Sequence, residues 1–442
     1  MPIRWHPNKL IKHQIRLIFL VFLSLVGKNI KADGFDEITQ IKIVWSLSEA
    51  SMSMAELAKQ YTSLSGVEVE LVILPTGPSW YHRVLAELSA GGDGFDILVM
   101  DYHYLPEFSE SGYLTALAPY LTQSKQLAIK DFNSDAVKIF SEYPEASSHY
   151  WSLPLQRDAL GLVYRLDLFN DPQQQKAFKQ RYGYALRPPK DKQQLIDIAQ
   201  FFTRPDRGLW GWGQTTSDHN NAIVTSAVSF IWSAGGKVLD PSKQQAVGYL
   251  DSKSSITGLQ DYMRMLDFMP EHQEDWDYVD INRMLLQGEL AMALNWVSSI
   301  NELNASSREK QFSIAPFPSN KTLLMGQAIA INQFSHKKHL AWDFIEWFFQ
   351  TQQQKAFSMH GQSFSRVMNK PVKEVSISSD NDQLNPILFN SESFLKIPLY
   401  ASFIEILQQE ISAVLHREKS PKQALTIAAK RHQLLLNKDK EH

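Results

Sequence analysis

Trp151–Phe169 reads WSLPLQRDALGLVYRLDLF, a proline step at Leu153-Pro154, a polar cluster Gln156-Arg157-Asp158, and an apolar run from Ala159 to Tyr164. The run has the length and β-branched, aromatic content of a buried strand. Charges at the mouth of such a strand have two readings. They are its solvated end, or the strand crosses between two lobes and Arg157 and Asp158 face a cleft. The flanking sequence weighs on that choice.

Upstream, QIKIVWSL (Gln40–Leu47), VEVELVIL (Val67–Leu74) and GFDILVM (Gly94–Met100) read as strands. Helical patterns at about 53–62 and 80–88 separate them. Strand, helix, strand, helix, strand predicts a parallel α/β layer, with ligand at the carboxyl ends of its strands. Two of those ends carry Trp45, Ser46 and Glu49, and Asp101, Tyr102 and Tyr104. Downstream, helices are expected at about 192–202, 220–233, 254–268, 280–287, 338–349, 401–415 and 421–436, with strands at about 288–296, 312–316 and 327–331. Trp210 and Trp212 alternate with glycine in GLWGWG (Gly208–Gly213) and suit either a ligand stack or a core plug. Trp342, Phe344, Trp347 and Phe348 have helical spacing and read as core.

The chain has 442 residues, enough for two to three domains. It contains no cysteine, which excludes disulfides, thiolate metal sites and a lipidated N-terminal cysteine. Residues 1–32 hold six basic residues and no acidic one, with the apolar stretch LIFLVFLSLV at Leu17–Val26. This pattern predicts a signal peptide cleaved after Ala32, hence a periplasmic protein; an uncleaved N-terminal anchor is the alternative. Removing it leaves 38 basic and 47 acidic residues, a net charge of −9 in place of −3. So acidic a chain is unsuited to binding nucleic acid through phosphates. There is no GxSxG, P-loop, GxGxxG or HExxH motif, and the 13 histidines do not cluster at metal spacing. Neither a catalytic apparatus, a metal nor a cofactor is expected.

Several blocks occur in an order that resembles the family 1 extracellular solute-binding proteins, the maltose-binding-like components of ABC sugar importers. LAELSAGGDGFDILVMD (Leu85–Asp101) resembles its segment ending in an Asp-Ile/Val strand, and FSESGYLTALAPYL (Phe108–Leu121) the stretch closing its first lobe. LPLQRDALGLVYRLDLF resembles its crossover. RPPKDKQQLIDIAQ (Arg187–Gln200) is similar to its Pro-Lys-Thr-Trp helix start, with Asp191 and Lys192 in place of Thr and Trp. WSAGGKVLD, MLLQGELAMALNW and GQAIAINQFSHKKHLAWDFIEWFF match later blocks. GQSFSR (Gly361–Arg366) resembles its Gly-Gly-x-Pro-x-Arg loop with Phe364 replacing proline, and SPKQALTIAAKRHQLLL its last helix.

The resemblance implies an α/β, two-lobed type II periplasmic-binding-protein fold. Each lobe would be a mostly parallel sheet flanked by helices, joined by crossover hinges. Lobe 1 would be 33–155 plus 326–370, and lobe 2 156–325 plus 371–442. It implies a monomer that clamps a sugar or oligosaccharide between the lobes and hands it to ABC permease subunits in the inner membrane. By the family's pattern the ligand contacts are Trp45, Ser46, Glu49, Asp101, Tyr102, Tyr104, Arg157, Asp158, Trp232, Trp296, Arg366 and Tyr400. Reporting to a membrane sensor and a secreted glycan hydrolase are the alternative roles.

Overall fold

The computed structural model describes residues 39–75, 77–240, 242–271, 275–307, 311–319, 321–359, 387, 391–394 and 396–439. The strands are β1 (Gln40–Ser46), β2 (Glu68–Leu74), β3 (Ile97–Asp101), β4 (Ser152–Arg165), β5 (Met292–Trp296), β6 (Phe312–Ala315), β7 (Leu323–Ile331) and the short β8 (Glu392–Ser393). Around them lie α1 (Glu49–Ser65), α2 (Pro78–Ser89), α3 (Lys192–Phe202), α4 (Ala222–Ser233), α5 (Lys253–Met265), α6 (Tyr278–Leu286), α7 (Ser299–Ser306), α8 (Lys338–Phe348), α9 (Thr351–Met359), α10 (Tyr400–Leu415) and α11 (Pro421–Asp439).

Local chemistry sets most of these boundaries. The Ser48 side chain accepts from Ser51 N, and the Ser51 hydroxyl accepts from Ser48 N, so α1 starts in a capping box at the end of β1. Its far end is closed by Gly66 at φ 75°. Asp191, which departs from the family's threonine, does the same work for α3 by accepting from Gln194 N at 2.9 Å. In α8, Trp342, Phe344 and Phe348 are buried as core, with Trp347 packed beside Tyr61.

β2, β1 and β3 are parallel, as expected, with β3 then paired antiparallel to β7. β4 is the long element. Its first half pairs antiparallel with β7 from Ser152 to Ala159; its second half pairs antiparallel with β5 and β6 from Leu160 to Arg165. One strand therefore leaves one lobe and enters the other, and β7 runs back beside it. All of β4's partners, β5, β6 and β7, run antiparallel to it. Residues 210–213 run beside the chain entering β5, through the parallel bridge Trp210↔Leu290 and the hydrogen bond from Leu294 N to Gly213 O at 2.9 Å. Trp212 is fully buried, so it plugs the core. No helix among the described residues is long and apolar enough to cross a membrane.

Candidate functional site

Three strands bring polar side chains together at the crossover. Asp101, the last residue of β3, is in register with Gln327 of β7, and Gln327 is in register with Gln156 of β4. The Trp45 indole Nε1 donates to Gln327 Oε1 at 2.8 Å, Gln156 Nε2 donates to the same oxygen at 2.8 Å, and Gln327 Nε2 donates to Asp101 Oδ1 at 3.1 Å. An irregularity in the β4–β7 register between Pro154 and Gln156 precedes this cluster. Such bulges re-aim side chains beside functional sites, and proline tolerates them because it has no ladder N–H to lose. Two residues on, Asp158 Oδ2 accepts from Ser298 Oγ at 2.7 Å, and Oδ1 accepts from Ser298 N at 3.3 Å and from Ala159 N at 2.8 Å. Asp158 thus ties the crossover strand to the start of α7.

Beside the cluster are two neighbouring cavities of about 320 and 640 Å³. Both are bounded by Gln156, Asp158, Tyr278, Trp296 and Ser298. Ser46, Asp101, Gln327, Trp80 and Tyr104 complete the inner one. Asn282, Arg283 and Glu302 edge the outer one, with the exposed Leu47 and Val279 at its mouth. The rings come in pairs: Trp80 stacks near Tyr104 with centroids 5.8 Å apart, and Tyr278 lies 5.3 Å from Trp296. Tyr278 shares a hydrogen bond of 2.5 Å with Thr225, which fixes its ring.

Burial dominates the electrostatics. It pushes the Asp101 carboxyl up to about 6, opposed by the Gln327 hydrogen bond, although 34 % of the side chain remains open to the cavity. It pushes Asp158 up to about 7 against the donors from Ser298 and the backbone. Among the described residues no group of three His, Asp or Glu side chains is placed to hold a metal.

Of the residues expected at the site, Ser46, Asp101, Tyr104, Asp158 and Trp296 line the cavities. Five do not. Trp45 is fully buried beneath the floor, because β1 is covered on both faces. Tyr102 points into the core, its hydroxyl donating to the carbonyls of Leu324 and Phe394. Arg157 lies between Gln156 and Asp158 on a strand, so alternation turns it to the opposite face, where it is buried. Trp232 packs against Phe394 inside α4's buried face, and Tyr400 stacks on His103 at 3.7 Å behind Tyr104. Glu49 opens α1 with its side chain outside the described residues, and Arg366 lies outside them altogether. Sequence reasoning missed Gln156, Gln327, Trp80, Tyr278 and Ser298. Gln327 carried a usable signal, as the lone hydrogen-bonding side chain in the strand LLMGQAIAI.

Comparison with known proteins places this architecture. Residues 45–355 match the family model of the bacterial extracellular solute-binding proteins. A maltotriose-binding protein of Pyrococcus abyssi (strain GE5 / Orsay) is 21 % identical over 303 residues, 66 % of this chain, and the match spans 58 % of that relative's length. Among solved structures, an ABC transporter solute-binding protein of Thermotoga lettingae TMO bound to α-D-tagatose superposes with a TM-score of 0.76 at 21 % identity, covering 90 % of this chain and all of that one. Maltose-bound T. maritima MalE3 gives 0.74 at 20 % identity, with 90 % and 100 % covered. A ribitol complex from Agrobacterium radiobacter K84 gives 0.75 at 18 %, with 90 % and 98 % covered. The fold is the two-lobed α/β fold of these binding proteins, and the chain belongs to the bacterial extracellular solute-binding protein family.

Proposed function

We propose that this protein captures a carbohydrate in the cleft at the β4–β7 crossover and delivers it to the permease of an ABC transporter. One observation carries the reading: two aromatic pairs and a set of hydroxyl-pairing groups bound the same cavity. Sugar ring faces present C–H groups that pack on aromatic rings, and their hydroxyls need fixed partners such as Asp101, Gln156 and Asp158. That carbohydrates are bound by the maltotriose-binding relative and by the tagatose and maltose complexes supports it. Residues 33–155 with 326–370 form one lobe in this reading and 156–325 with 371–442 the other, closing about β4 and β7. Residues 1–32 act as the export signal, and the mature chain works in the periplasm.

A thermal-shift screen of the purified protein against sugars, oligosaccharides, polyols, amino acids and polyamines tests this. A ligand at about 100 times its Kd adds roughly 2.7 kcal/mol of stability. A shift with one carbohydrate class supports the proposal; a shift with another solute class and no sugar refutes it. A glycan hydrolase is the second reading, favoured by Asp101 and Asp158 sharing one cavity with raised pKa values. Turnover of an oligosaccharide on incubation would establish it.

A further inference from the structure

The inner cavity holds two carboxylates without a counter-charge. Asp101 and Asp158 line it, and no Lys, Arg or His does among the described residues. Asp101 Oδ1 accepts from the neutral Gln327, and its Oδ2 faces His103 Nε2 at 4.0 Å, beyond hydrogen-bond reach. Burial drives the His103 pKa well below its ordinary value, so that ring is neutral. Asp158 receives neutral donors, from the Ser298 hydroxyl and from backbone N–H groups. Arg157 faces the other side of β4, and Arg283 at the outer rim is already paired with Asp280 at 2.9 Å.

The amide network fixes the polarity of the floor. An indole N–H can only donate. Trp45 therefore holds Gln327 with its oxygen toward β1 and β4, and Gln156 must present its NH2 to that oxygen. Gln156 Oε1 is left as an acceptor without a partner. The floor thus presents the carboxylates of Asp101 and Asp158 to the cavity, with the buried, unpaired Gln156 oxygen behind them, and asks for donors in return. Beside it stand Trp80, Tyr104, Tyr278 and Trp296, rings whose faces attract cations. Trp80 is 4 % exposed, and its own N–H is unpaired. Closing such a cleft over a neutral ligand would strip water from two carboxylates with nothing to balance them, which is unfavourable.

We propose that the ligand is an amine-bearing sugar, its ammonium seated between Asp101 and Asp158 and its ring against the aromatic pairs. This deepens the carbohydrate reading above and rests on it. The ammonium supplies both the missing charge and three donors. Neutral sugars would instead bind together with protons taken up by the carboxylates, so the two ligand classes have opposite pH dependence. Cation affinity falls as the pH drops through the pKa values of about 7 and about 6, while neutral-sugar affinity holds or rises.

Calorimetric titration with matched pairs decides between them. The probes are glucosamine and glucose, galactosamine and galactose, and β-1,4-linked glucosamine oligosaccharides with their cello- and N-acetyl counterparts, each at pH 7.5 and pH 5, with spermidine as a sugar-free cation. In at least one pair the amine should bind about tenfold or more tightly at pH 7.5, lose that advantage at pH 5, and lose it in Asp101→Asn. Equal or tighter binding of the neutral member in every pair overturns the inference and leaves the carbohydrate reading standing. So does binding of neutral sugars with no amine-bearing sugar bound. Binding of spermidine with no sugar of either kind overturns the carbohydrate reading and keeps a cation in the pocket.

Discussion

Trp45 sits beneath the cavity floor and acts on it through Gln327. Replacing it with Phe keeps a ring in the core and removes the donor that orients the glutamine pair. The loss of one buried hydrogen bond should lower stability by about 1 kcal/mol. Ligand affinity should fall by about fivefold as the floor loses its fixed polarity, measured by unfolding and by titration. Asp101 gives a prediction of opposite sign. Its pKa is raised from 3.8 to about 6, so the folded protein binds the proton more tightly than the unfolded chain. That contribution to stability is full below about pH 3.8 and is lost as the pH rises through about 6. Asp101→Asn, whose side-chain oxygen still accepts from Gln327, should therefore raise Tm at pH 8 and have little effect at pH 4. A Tm lower than wild type at pH 8 contradicts the buried, unbalanced carboxylate. Residue types at strand ends were legible in the sequence, and Ser46, Asp101 and Trp296, singled out on that ground, line the cavities. Burial was not: nothing local distinguishes Trp45, closed over on both faces of β1, from Ser46 beside it.

β4 and β7 are the elements on which the site depends, and they show what a sequence conceals. The apolar run 159–164 was readable as a strand, whereas its true extent, Ser152–Arg165, includes the proline and the polar cluster. The register irregularity after Pro154 and the strand alternation beyond it put Gln156 and Asp158 on the cavity and Arg157 away from it. Strand parity cannot be assigned until the partner strand is known, and that partner lies about 170 residues downstream, as the Gln156–Gln327 separation of 171 shows. Gly326 makes the close approach possible. It adopts φ +151°, and a Cβ there would meet Gln156 O at 2.3 Å and the Arg157 Cα at 2.9 Å. Gly326→Ala should cost about 3 kcal/mol, since backbone atoms cannot rotate away and the conformation is strained for an L residue. Gly112→Ala has only φ +72° to contend with, nothing lying within 4 Å, and should cost about 1 kcal/mol. Chemical denaturation of the two variants checks the difference.

The β2-β1-β3 layer, the crossover strand and the closing helices form one frame joined through β4, which pairs with β7 in its first half and with β5 and β6 in its second. The order of these elements was legible because helix and strand periodicities and caps are local. The cavity was not, since Trp80, Tyr278 and Ser298 converge from α2, α6 and the turn before α7. Trp296 is the side chain that reports on ligand most cleanly, because it lines both cavities at the end of β5 while staying partly exposed. Trp296→Ala should weaken carbohydrate binding by about tenfold or more, the loss of one aromatic contact worth roughly 1.5 kcal/mol. Calorimetric titration of the wild type and Trp296→Ala with the carbohydrate found by screening is therefore decisive for a sugar held in this cleft. The expected result is saturable one-site binding that is at least tenfold weaker in the variant. Unchanged affinity in a folded Trp296→Ala protein would place the sugar elsewhere and contradict the proposed site.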